Sequence, residues 1–279
     1  MKKKVWGKRV LLPEGWSSNT LIDIDHIGRI NDIRKNVEPS NQVFDTLIPS
    51  PMNLHSHCFQ RAMSGLSERS ESKTNDFWSW RNFMYSFLNK ITPDHFEAIC
   101  ALAQMEMLEA GYAGVSEFHY LHNDLSGVRY NNISEMSERV INASNVTGIG
   151  LTLLPVLYEQ QGINGGDLIS GQDRFGLAFH EFEKLVEEII SLKNKINDFQ
   201  IGVAAHSLRA VKKQSLKELS QNFIKFPIHI HVAEQKKEVT EIFNAWNKRP
   251  VEWLIENLAL NKKWCLVHCT QMLDYESRL

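Results

Sequence analysis

Short stretches of alternating apolar and polar residues open the chain, Lys8-Arg9-Val10-Leu11-Leu12 and Thr20-Leu21-Ile22-Asp23-Ile24-Asp25, with turn residues Pro13-Glu14-Gly15 and His26-Ile27-Gly28 after them. Residues 1–45 therefore predict a few β-strands forming a partial β-sandwich-like domain, too small to fold alone. From Thr46 onward the pattern changes to apolar runs separated by helical stretches. The runs are Thr46-Leu47-Ile48-Pro49, Gly114–Phe118, Gly148–Leu154, Ile201–Ala205, Pro227–Val232 and Trp264–His268. Such a series predicts an α/β fold over 46–279, an incomplete (β/α)8 TIM-like barrel of about six β/α units.

The connecting helices have legible ends. Thr92 caps, Pro93 takes the first helical position, Phe96, Ile99, Ala103 and Met107 recur at helical spacing, and Gly111 closes the helix. Further helices are expected over His180–Leu192, near Ser215–Phe223 and from Pro250.

Composition narrows the chemistry. The 279 residues carry 31 Lys+Arg against 33 Asp+Glu, a formal net charge of -2, which offers no basic footprint for nucleic acid and favours a small-molecule substrate. Four cysteines without a CxxC pair argue against a disulfide scaffold and fit a reducing cytoplasm. Gly7, Lys8, Arg9, Pro13 and Glu14 interrupt any apolar core of a signal peptide, and no apolar run reaches the ~18 residues of a membrane span. A soluble, unexported, cytoplasmic protein is expected, with no membrane partner.

The candidate chemistry lies at strand ends. In Asn53-Leu54-His55-Ser56-His57 two imidazoles one residue apart point the same way from extended backbone, so both can hold one metal ion. Two histidines on a surface strand also arise by chance. However, His229-Ile230-His231-Val232-Ala233-Glu234 and Val267-His268-Cys269-Thr270 end two further strands, and active sites of β/α barrels sit at the carboxyl ends of strands. Neutral imidazoles suit a catalytic divalent ion, and Glu234 is the natural group to shuttle a proton. His268 reads either as a ligand or as a hydrogen-bonding partner at the reacting carbon.

Those segments, with Phe59-Gln60-Arg61-Ala62-Met63, Phe77-Trp78-Ser79-Trp80-Arg81, Glu117-Phe118-His119-Tyr120 and His206-Ser207-Leu208-Arg209, resemble the amidohydrolase superfamily. Within it they are similar to the formimidoylglutamate deiminases of histidine degradation. The resemblance implies that His55, His57 and His231 are metal ligands, that Glu234 and His268 are the catalytic pair, and that Gln60, Arg81, Tyr120, His206 and Arg209 bind substrate. Zinc is the expected ion, with iron the alternative. Two arginines beside such a site suit a substrate with two carboxylates, because arginine binds a carboxylate through two parallel hydrogen bonds. The implied reaction is hydrolytic attack on the formimino carbon of N-formimino-L-glutamate, releasing ammonia and N-formyl-L-glutamate. His119 is expected in the pocket wall, His122 in a loop, and Trp78 and Trp80 in packing roles.

The superfamily pattern also has an eight-stranded closed barrel and a metal-binding aspartate after the last strand. This chain is expected to lack both, as a C-terminally truncated form whose edge strands favour association and whose activity is low. A homodimer is expected of the full-length form. The alternatives are another amidohydrolase deaminase acting on guanine or cytosine, or a catalytically inactive fragment.

Overall fold

In the computed structural model, residues 3–40, 42–66, 77–169, 171–193 and 198–279 are described, with backbone alone at 77–79, 81 and 82. The chain divides into two compact units, Met1–Pro51 and Met52–Leu279.

The smaller unit is a four-stranded sheet of β1 (Lys3–Leu12), β2 (Gly15–Ile24), β3 (Ile30–Arg34) and β4 (Gln42–Leu47), in the order β3-β2-β1-β4. β1 pairs antiparallel with β2 and parallel with β4. Trp6, Val10, Leu12 and Leu21 are its buried apolar residues, and the Trp6 indole donates to the Val37 carbonyl at 2.9 Å.

The larger unit is built on parallel strands: β5 (Met52–Ser56), β6 (Gly114–His119), β7 (Gly150–Leu157), β8 (Phe199–Ile201), β9 (Val203–Ser207), β10 (Ile228–Val232) and β11 (Trp264–His268). Their order is β5-β6-β7-β9-β10-β11, with β8 also on β7. The short β8 pairs with the first half of β7 and β9 with the second half, so both fill one strand position of the β/α series. Gly202 separates them, and a Cβ there would lie 2.4 Å from Leu154 and 2.7 Å from the Pro227 carbonyl. β7 is almost wholly buried, which is why it reads as a continuous apolar run and not as an alternation.

Helices α1 (Phe77–Leu88), α2 (Pro93–Glu109), α3 (Glu135–Thr147), α4 (Phe179–Leu192), α5 (Lys213–Asn222), α6 (Lys236–Trp246) and α7 (Pro250–Asn257) lie between the strands. The expected cap holds, since the Thr92 hydroxyl accepts from the His95 amide at 3.3 Å. Among the described residues, no helix is long and apolar enough to cross a membrane.

One strand differs from expectation. Thr46 and Leu47 pair with Arg9 and Val10 of β1, in the small sheet, and do not start the barrel. Pro49 and Pro51 lack the amide a ladder requires, so β4 stops at Leu47 and the first barrel strand is Met52–Ser56 itself. His55 therefore lies within the strand and His57 just beyond it.

Candidate active site

Parallel strands point their carboxyl ends to one side, and that side gathers the polar residues. A cavity of about 160 Å³ is lined by His57, Gln60, Tyr120, His206, Arg209, His231, Glu234 and His268, together with Trp80, Met84, Tyr85, Tyr158 and Phe175. Gln60 comes from the 3₁₀ turn Cys58–Met63, Tyr120 from just beyond β6, His206 from β9, His231 from β10 and His268 from β11. The backbone twists sharply where two of these side chains are presented. Ala233, before Glu234, has φ 51°, and His268 has φ 74°, conformations that cost an L-residue about 1 kcal/mol or more. Main-chain bonds hold the turn, with the Cys269 amide donating to the Val232 carbonyl at 3.0 Å and the Gln271 amide to the Ala233 carbonyl at 2.8 Å.

Three ring nitrogens converge. His55 Nε2 lies 3.0 Å from His57 Nε2 and 3.0 Å from His231 Nε2, and the three ligand atoms fall within 4.8 Å of one another. His57 Nδ1 lies 3.2 Å from the Phe118 carbonyl, an acceptor, so the His57 proton belongs on Nδ1 and Nε2 presents a lone pair. Burial holds His57 down to about 4 and His55 to about 3, the latter helped by the neighbouring His57, and it drives His231 far below the ordinary histidine range. Neutral imidazoles with lone pairs aimed at one point are the donor set of a divalent metal, so the residues present fit such an ion.

The other groups surround this point. Glu234, with its side chain 17% exposed, places Oε2 3.9 Å from His268 Nε2. Gln60 Nε2 donates to the Tyr120 hydroxyl at 3.2 Å, and burial pushes that phenol far upward, so it stays protonated. His206 Nδ1 sits 3.2 Å from Ser207 Oγ, and Arg209 is half-buried at the cavity edge. The Arg81 side chain lies outside the described residues, as does that of Trp78.

Two expectations change. His119 does not line the cavity; it faces α2, stacked at 5.5 Å on Phe96, because consecutive residues of β6 alternate between faces. Trp80, expected only to pack, lines the cavity. His122 is in a loop, buried, with Nε2 2.9 Å from the Val156 carbonyl.

Sequence reasoning missed two buried carboxylates. Glu117 in β6 is 2% exposed; it accepts the Cys58 amide at 2.7 Å and lies in hydrogen-bonding reach of Ser56, so it grips the chain on both sides of His57. Burial raises it to about 7. Glu238 in α6 is 1% exposed and accepts from Ala233 and Glu234 amides. An acidic residue within the apolar run Gly114–Phe118 is a visible signal for Glu117, whereas Glu238 looks like any polar residue of an amphipathic helix.

Residues 46–277 match the amidohydrolase family. The chain is 40% identical over 270 residues to formimidoylglutamate deiminase of Pseudomonas aeruginosa, covering 95% of this chain and 59% of that protein. It superposes on the crystal structure of an amidohydrolase from Brucella melitensis with a TM-score of 0.93 and 41% identity, over 99% of this chain and 62% of that one. A guanine deaminase from C. acetobutylicum gives a TM-score of 0.74 at 16% identity, covering 100% of this chain and 65% of the other, a likeness of fold alone. The chain thus spans about three fifths of the length of these relatives. Matched across nearly all of its larger unit, and with three imidazoles gathered at the strand ends, the chain belongs to the amidohydrolase family.

Proposed function

We propose that the whole protein hydrolyses the formimino C–N bond of N-formimidoyl-L-glutamate, taking up water and releasing ammonia and N-formyl-L-glutamate. The observation that carries this reading is the cavity itself, whose walls hold His57 and His231 of the three convergent imidazoles, a carboxylate–histidine pair and Arg209. The 40% identity to formimidoylglutamate deiminase supports the substrate class.

His55, His57 and His231 would hold the metal, which we assign as zinc, and such an ion supplies water of lowered pKa at neutral pH. Glu234 takes the water proton and returns it to the departing nitrogen. His268, beside Glu234, donates to the oxygen that gains charge at the tetrahedral stage. Arg209 clamps a substrate carboxylate, while Gln60, Tyr120 and His206 orient the formimino group. The phenol, held protonated by burial, acts as a donor. Arg81 completes the carboxylate-binding set in this reading, and the protein works in the cytoplasm on a small acidic substrate.

Ammonia release decides the matter. With zinc supplied, the protein is expected to turn over N-formimidoyl-L-glutamate at least a hundredfold faster than guanine, cytosine or 5'-deoxyadenosine. Faster release from any of these cyclic amidines overturns the assignment.

A further inference from the structure

Between His231 and α6 the chain turns through Val232, Ala233, Glu234 and Gln235, and this turn is held from both sides. Thr270 Oγ1 donates to the Glu234 carbonyl at 2.6 Å and lies 3.3 Å from the Ala233 carbonyl, which also receives the Gln271 amide. On the other side, the Ala233 amide donates to Glu238 Oε1 at 3.2 Å and the Glu234 amide to Glu238 Oε2 at 3.0 Å.

A glutamate at the third position of a helix ordinarily reaches back to the amide of the capping residue, which here is Gln235. Glu238 lies in reach of that amide and extends beyond it, each of its two oxygens taking an amide that precedes the helix. Ala233 carries the left-handed φ of 51°, so the peptides that aim Glu234 are kept in a costly conformation by these bonds. The carboxylate is almost fully enclosed, and Arg209 lies near enough that its charge offsets part of the upward push of burial. A buried acceptor pair of this kind fixes a reacting side chain only while both bonds are made.

We propose that Glu238 is a positioning residue, which sets the direction of Glu234 into the cavity by holding the two amides before it. This inference rests on the role given to Glu234 above.

Glu238→Gln is the test, because it keeps size and one acceptor oxygen but removes the second acceptor and the charge. Hydrogen exchange at the Ala233 and Glu234 amides is expected to quicken at least tenfold at one of the two, with the melting temperature of the variant close to that of the parent. Turnover of N-formimidoyl-L-glutamate is expected to fall roughly 10–100-fold in kcat, with KM little changed. Unchanged exchange at both amides overturns the proposal, as does unchanged kcat with a lowered melting temperature, which would make Glu238 a helix cap and nothing more. If the parent protein releases no ammonia from this substrate, the functional reading fails, and the exchange measurement still decides whether Glu238 holds the turn.

Discussion

Glu234 Oε2 and His268 Nε2 face each other at 3.9 Å from the ends of neighbouring strands β10 and β11. That spacing brings the two side chains to one point of the cavity without a tight ion pair, and in the proposed reaction it leaves Glu234 to accept a proton and His268 to donate one. Glu234→Gln is expected to lower kcat by roughly 10²–10⁴ while leaving metal content unchanged, since Glu234 is not among the converging ligands. Ammonia-release kinetics paired with elemental analysis tests this, and an unaltered kcat would remove Glu234 from the chemistry.

Metal retention depends on the imidazole set. The parent protein is expected to carry one zinc per chain at saturation, and His57→Ala to lose most of it on dialysis, because two ligands remain where a catalytic ion needs three. Tight binding that survives the loss of both His55 and His57 would place the ion elsewhere.

Arg209→Lys keeps a positive charge but removes the planar fork that meets both carboxylate oxygens. A loss of roughly 10–100-fold in kcat/KM for N-formimidoyl-L-glutamate is expected, from the worth of charge-assisted hydrogen bonds. Steady-state kinetics on the variant would show no change if Arg209 were only a surface charge.

Glu117 gives a pH dependence of definite sign. Its carboxyl is raised by burial from an ordinary 4.5 to about 7, so the folded state keeps a proton that the unfolded state releases. Its contribution is full below about pH 4.5 and is lost as pH rises through 7, a swing on the order of 3 kcal/mol. Glu117→Gln cannot titrate. Denaturant unfolding of both proteins from pH 4.5 to 8 should show the parent losing stability relative to the variant, the contribution of the histidines being common to both. A difference that stays flat with pH would contradict the assignment.

Arg174 is a cation 1% exposed that donates to main-chain oxygens of three residues: Leu88, Ile91 at 2.9 Å and Asn123 at 3.2 Å. It ties the end of α1 and the approach to α2 to the loop after β6. Arg174→Met fills similar volume yet leaves those carbonyls without donors, and an unfolding free energy lower by about 2–4 kcal/mol is expected. Thermal or denaturant melts would expose an error here as a variant equal to the parent.

The sequence by itself determined what rests on neighbours along the chain. Thr92 and Pro93 start α2 because cap and helix lie within one turn, and β7 is readable because burial on both faces demands an unbroken apolar run. The histidines of β5, β10 and β11 were legible because strand ends in a parallel sheet share one side. Helix α3 was harder to see, since Ser137 and Ser144 occupy its buried stripe alongside Met136, Val140 and Ile141 and blur the hydrophobic period. Tertiary structure alone decided the rest. It assigned Thr46-Leu47 to the small sheet, turned His119 away from the cavity and brought Trp80 into it. It also placed Arg174 against carbonyls far along the chain and gave Glu117 the amide beside His57. The physical reason is common to these cases: local periodicity records whether a position is wet or dry, but a buried polar group chooses its partners only when distant segments meet, and a strand chooses its sheet only when competing edges are in place.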